Sequence, residues 1–297
     1  MSRTKISTEI DTIASVVGME KAVELVAKAG FDCWDFSLFK MGAYDWKNGK
    51  RILRGHALEY RDTALQLAER LRKTGERYGI TCNQSHAPFP VYCAEIRELL
   101  PLALECTAEA GGKICVVHPD NYKPAEENAE MYRELLPAAH RLNVKIAAEN
   151  MWTWDDAHNQ AGSAACSDGP DFRKHIDLVN DPFLVACVDI GHAEMRGLGT
   201  DARTMIRELG NRVAALHIHD NDKWHDSHAL PFTMNIDYPP ILSALAEAGY
   251  SGEFTMETDF VGKYHKDDPE EGVRILCGTA RKLADMFDAL PHAGRAV

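Results

Sequence analysis

Apolar runs of about six residues, rich in β-formers, alternate eight times with longer segments of helical spacing. Strands are expected at 5–10, 31–37, 80–86, 113–118, 144–149, from 185, at 213–219 and at 253–259. The helix near 19–29 carries Met19, Ala22, Val23 and Val26 on one face and stops at Gly30; the next has Tyr60, Ala64, Leu67, Ala68 and Leu71 as its stripe. Further helices run up to Ala110, over 125–142, near 171–179 and from about 201, with a last pair framing the eighth strand. Two connections, 40–54 and the one holding Trp152, Trp154, His158 and Gly162, are long enough to be functional loops. Strands joined by helices on one hand form a parallel sheet, and eight units favour closure. An open doubly wound sheet usually carries a glycine-rich phosphate loop, and neither GxGxxG nor GxxxxGK[ST] occurs. Without a linker, low-complexity tract or charge block, residues 1–297 read as one domain, a single (β/α)8 TIM barrel of α/β class.

The strand ends share a chemistry. At 185–192 the run Val-Ala-Cys-Val-Asp-Ile-Gly-His delivers Asp189, and Gly191 is expected to bend the chain so that His192 turns toward the same place. Five other apolar runs end similarly, in Ser85-His86, Val117-His118, Ala148-Glu149, Leu216-His217-Ile218-His219-Asp220 and Met256-Glu257. A lone carboxylate here is more often a helix cap, and a lone histidine more often a hydrogen-bonded core residue. Together, Glu149, Asp189 and Glu257 at the ends of strands five, six and eight would repel one another unless a cation or protons offset them. Mixed oxygen and nitrogen donors suit a divalent ion. His217 and His219 share strand parity, so both are expected to face inward and spacing leaves open which is the ligand. Asp226 and His228, two apart in a polar loop, read equally as solvated loop and as ligands.

A formal charge of −12 with no basic run disfavours a protein held to nucleic acid or anionic membrane by counterion release. Eight cysteines without a CxxC pair fit reduced core thiols. The start lacks an apolar leader region and no run reaches the length of a membrane span, so a cytoplasmic location is expected.

The motifs Ser85-His86-Ala87-Pro88, Val117-His118-Pro119, Ala148-Glu149-Asn150, Val188-Asp189-Ile190-Gly191-His192, Leu216-His217-Ile218-His219-Asp220-Asn221 and Met256-Glu257 resemble those of the xylose-isomerase-like barrel superfamily. That superfamily includes sugar phosphate isomerases and epimerases, ketose 3-epimerases and the endonuclease IV group. The resemblance implies one divalent metal ion per chain, manganese first with cobalt, magnesium or zinc as alternatives, held by Glu149, Asp189, His217 and Glu257. It selects His217 over His219 and gives His192 a contact to substrate oxygens. The activity implied is isomerisation or epimerisation of a sugar or sugar derivative through a metal-stabilised enediolate, with Glu149 and Glu257 moving the proton. His86, His118, Asp226, His228 and Trp152 are then expected to bind substrate, with Trp154 and Phe89 adding apolar surface. After its seventh-strand histidine a ketose 3-epimerase usually has a Gly-Glu pair and an arginine, where this chain has His219-Asp220-Asn221. Two alternatives follow from the same likeness. One is a dehydratase or lyase acting on a keto-sugar or inosose; the other is a zinc phosphodiesterase like endonuclease IV, whose trinuclear site corresponds to His86, His118, Glu149, Asp189, His192, His217, Asp226, His228 and Glu257. The expected partner is a small sugar, not nucleic acid or membrane, and the expected assembly a homo-oligomer.

Overall fold

The computed structural model describes residues 3–291. Its principal strands are β1 Ile6–Thr8, β2 Cys33–Ser37, β3 Thr81–His86, β4 Ile114–Val117, β5 Lys145–Glu149, β6 Leu184–Asp189, β7 Val213–His217 and β8 Phe254–Met256. Strands β2 to β7 pair in parallel in chain order, and β1 pairs in parallel with β8. Single parallel bridges, Glu9 with Asp35 and Ile218 with Met256, join the two sheets and close the ring. The pairs Ser37 with His86, Glu149 with Cys187 and Asp189 with His217 keep the C-terminal ends of neighbouring strands nearly level.

Strand alternation places the chemistry. Val116, Ala147, Cys187 and Ala215 form a small apolar cluster of their own, separate from the main core under the helices. They come from four successive strands and fill the barrel interior with small side chains. Two residues further along each strand, on the same face, stand His118, Glu149, Asp189 and His217. The intervening Val117, Ala148, Val188 and Leu216 point outward and pack beneath the helices. The interior plug therefore supports a polar layer at the C-terminal rim, where barrels of this kind carry their sites.

Helix Met19–Ala29 buries the expected Met19, Ala22, Val23 and Val26, and Gly30 ends it at φ 103°, a conformation open to glycine at little cost. Where the structure departs from the sequence expectation, hydrogen bonding explains it. Strand two begins at Cys33 because the Phe31 amide still donates to Val26 O at the helix end, and the Asp32 carboxylate accepts from the Ile6 amide. Strand seven ends at His217, since Ile218 bridges β8 and Asp220 turns back to pair antiparallel with Ala229. A helix, Asp11–Val17, occupies the first connection. The two long loops are ordered, holding the hairpins Tyr44–Asp45 with Lys50–Arg51 and Trp152–Asp155 with Gln160–Ser163. All eight cysteines are free and buried, and no helix among the described residues is long and apolar enough to cross a membrane.

Candidate functional site

At the centre of the rim, His217 Nδ1 lies 2.9 Å from Glu149 Oε1 and 3.3 Å from Glu257 Oε2. With Asp189 these side chains offer one donor atom each, all within 4.8 Å of one another and all buried. Two groups flank this one. On one side, His86 and His118 bring their Nε2 atoms to 3.3 and 3.1 Å from Glu149 Oε2. On the other, Asp226 lies 3.2 Å from His192 Nε2 and 3.3 Å from His228 Nε2, and His219 Nε2 lies 3.1 Å from Asp189 Oδ1. Both strand-seven histidines thus face inward as parity requires, but they serve different groups. Asp226 and His228 are drawn into the site and are not left in a solvated loop.

Backbone contacts fix the orientation of most of the rings. His86 donates from Nδ1 to Ala87 O, His192 to Asn150 O and His228 to Glu257 O, leaving each Nε2 turned to the carboxylates. Such outer contacts set the tautomer and angle of a ligating imidazole. His217 is reversed. Its Nδ1 faces the carboxylates and its Nε2 lies 3.5 Å from Asp35 Oδ2, which also accepts from Gln84 Nε2 at 2.8 Å. Asp35 was missed in the sequence, where its one signal is a carboxylate inside an otherwise apolar strand. Glu9, at the end of β1 on the cavity wall, was missed too.

Gly191 has a different task from the one expected. The segment Ile190–Ala193 is a single helical turn, capped by Asp189 Oδ1 accepting from the His192 amide at 2.7 Å, and this turn brings His192 back to Asp189. A Cβ on Gly191 would lie 1.9 Å from His219 Cε1, so glycine is needed to seat the His219 ring. In the loop after β7, Asp220 accepts from the amides of Asn221, Thr233, Met234 and Ile236 at 2.9 to 3.1 Å. It is the hub around which that loop folds. His228 takes φ 41°, a left-handed conformation uncommon outside glycine, and stacks on His219 with ring centres 4.1 Å apart.

The electrostatics are those of carboxylates held ionised by imidazoles. Burial opposes ionisation of Glu149, but His217, His118 and His86 hold its carboxyl well below the usual range. Burial likewise opposes ionisation of Asp189, which His192 and His219 bring down to about 2. Burial disfavours a charged His228, yet Asp226 beside it lifts the imidazole to about 10. His192 and His217 are also raised against the pull of burial, by Asp189 and Asp226 in one case and with help from Glu257 and Glu149 in the other. The carboxylate oxygens Glu149 Oε2, Asp189 Oδ2 and Asp226 Oδ1 are buried without a hydrogen-bond donor. Orphaned anionic oxygens beside imidazole nitrogens fit a divalent ion.

Above these groups opens a cavity of about 450 Å³. His86, His118, Glu149, His192, Asp226, His228, Glu257 and Trp152 line it, while Asp189 and His217 lie beneath. Phe89 is on the wall, stacked against His118 at 4.8 Å; Trp154, expected beside it, is not a lining residue and stands 41% exposed on its hairpin.

The sequence pattern of a family described as xylose isomerase-like TIM barrel matches residues 23–283. The uncharacterized protein MJ1311 of Methanocaldococcus jannaschii is 25% identical over 257 residues, covering 80% of this chain and 78% of its own. Among solved structures, the IOLI protein with a bound zinc atom superposes with a TM-score of 0.72 at 17% identity, over 96% of this chain and 100% of the other. A D-tagatose 3-epimerase-like protein gives 0.69 at 20% identity, over 95% and 98%.

Proposed function

The chain belongs to the xylose isomerase-like TIM barrel family, and from that premise we propose that it is a metal-dependent isomerase or epimerase of a sugar or sugar derivative. The observation that carries this reading is the pair of carboxylates, Glu149 and Glu257, at 2.9 and 3.3 Å from the same His217 nitrogen, at the floor of a cavity open to small molecules. Glu149, Asp189, His217 and Glu257 would hold the ion, with manganese first among the hard or borderline metals that such donors suit and cobalt, magnesium or zinc as alternatives. Bound there, a divalent ion supplies positive charge to a substrate carbonyl and its neighbouring hydroxyl, making the intervening C–H more acidic.

The residues of the chain account for the proton. Glu149, ionised by its three histidines, accepts the proton from the carbon beside the carbonyl, and the C–H electron pair becomes the C=C bond of an enediolate. Glu257, having taken a proton from solvent, returns it from its own side, and Glu149 releases the abstracted proton to solvent to complete the turnover. Return to the same carbon inverts it; return to the neighbouring carbon moves the carbonyl. His192 and His86, locked through Nδ1, present Nε2 to substrate hydroxyls. The test is a panel of ketoses and aldoses incubated with the protein and manganese in deuterated water. Deuterium at the carbon beside the carbonyl of at least one sugar is expected. No incorporation into any member would overturn the proposal, and loss of water from the labelled sugar would assign the dehydratase or lyase alternative.

A second reading rests on the flanking groups. His192, His219, Asp226 and His228 form a second cluster of donor atoms within 4.8 Å, and His86, His118 and Glu149 a third. A zinc phosphodiesterase would fill more than one of them. Against it, neither Arg nor Lys lines the cavity to contact the phosphates that flank the reacting one along a nucleic-acid strand. We expect Asp226→Asn to leave the bound-metal count at that of the parent protein while changing KM or kcat. Loss of one ion per chain by elemental analysis, with cleavage of an abasic-site duplex by the parent protein, would establish the second reading.

A further inference from the structure

Six aromatic residues, Phe39, Trp46, Phe89, Tyr92, Tyr122 and Trp152, line the cavity. Phe39 and Phe89 are packed deep against His86 and His118. The outer ones are not packed away. Trp46 is 68% exposed, Tyr122 72% and Tyr92 38%, although they come from three separate connections, after β2, β3 and β4. Tyr44 links them. Its ring stands edge-on to Trp46 at 4.9 Å and to Tyr92 at 5.8 Å, and Tyr92 meets Tyr122 at 5.6 Å. The result is a continuous aromatic arc at the cavity mouth, held in place by its own ring contacts and left partly exposed to water. Exposed apolar surface of this kind, rimmed by polar groups and continuous with a cavity, marks a binding surface.

The charges in the same cavity say what it would not take. Glu9, Asp11, Glu149, Asp226, Glu257 and Asp259 line it, with no Arg or Lys. Lys40 lies behind the wall, paired to Asp11 at 3.1 Å. A phosphorylated sugar would bring a dianion where no guanidinium or ammonium can receive it, and the lining imidazoles His86, His118, His192 and His228 already face Glu149 and Asp226. Resting on the isomerase or epimerase reading of the cavity floor, we propose that the arc of Trp46, Tyr92 and Tyr122 is a subsite for a second, uncharged ring attached to the reacting sugar. The substrate is then a glycoside-like, unphosphorylated derivative, its reacting carbons over Glu149 and Glu257 and its appended ring against the arc. The C–H face of a sugar ring or an aromatic aglycone would bury the exposed faces without needing a charged partner.

Calorimetric titration of the metal-loaded protein with phenyl glucoside, methyl glucoside, D-fructose and D-fructose 6-phosphate tests this. The phenyl glucoside should bind about tenfold tighter than the methyl form, the size of one good aromatic contact. Trp46→Ala and Tyr122→Ala should each remove most of that preference without changing the binding of methyl glucoside or fructose. Both side chains are solvent-exposed, so the fold should tolerate their loss. Fructose 6-phosphate should bind no tighter than fructose. Equal binding of the two glucosides, absence of binding by either, a preference that survives both substitutions, or tighter binding of the phosphate would each overturn the subsite. Because binding is read without turnover, the two proposals fail separately. Aromatic-dependent binding without deuterium exchange in any sugar removes the isomerase reading alone; exchange in free ketoses with no phenyl preference removes the subsite alone.

Discussion

Glu149→Gln and Glu257→Gln should each reduce turnover by about two to four orders of magnitude, the range that a positioned general base contributes, while the barrel stays folded. The amide keeps the size of the side chain and removes both the negative charge and the basic oxygen. At position 149 the effect should be the larger, because that carboxylate faces His217, His86 and His118 together. Loss of the anion leaves three buried imidazoles without their shared partner, so they should also titrate at lower pH. Deuterium exchange into the best substrate gives the rate, and circular dichroism melting reports whether the fold is kept. Near-normal exchange by either variant would show that the proton travels by another route.

His217→Ala should weaken metal binding by more than the ~10–100-fold that loss of an outer-shell partner costs, and His219→Ala by less. The reason is geometric. His217 Nδ1 sits between Glu149 and Glu257, whereas His219 belongs with Asp189 and Asp226. Competition with a fluorescent chelator measures both. Equal losses, or a larger one at His219, would place the tightest ion in the flanking group. The same titration should show affinity rising with pH. Burial works against charging His217, but the carboxylates Glu257 and Glu149 beside it raise it well above the usual imidazole range, so a proton must leave it before it can ligate.

Much of this was legible in the chain because it depends on local periodicity. Eight apolar runs and their helices specify a parallel sheet that closes, and the parity of each strand decides that His118, Glu149, Asp189 and His217 share a face with the small residues two positions earlier. Glu149, Asp189, Glu257 and the strand-end histidines could be named as one cluster because ends of neighbouring parallel strands must lie together. What periodicity cannot carry is contact between residues far apart in sequence. Gly191 shows the difference: its sequence context suggested a bend, and only the packed His219 ring reveals that the missing Cβ is what matters. Asp35 looks like an oddity in an apolar strand until β2 is set across the barrel from His217. The loop of Asp226 and His228 was undecided because nothing local says that Asp220 will gather three amides from 13 to 16 residues further on and swing both residues inward. The aromatic arc joins rings from three connections whose sequence gives no common period. The sequence by itself determined the barrel and the acids and imidazoles at its rim, since these follow from alternation along single strands. The tertiary structure alone decided how those groups divide into clusters, which ring nitrogen each presents and where apolar surface is left open, because each of these is set by approach between separate segments.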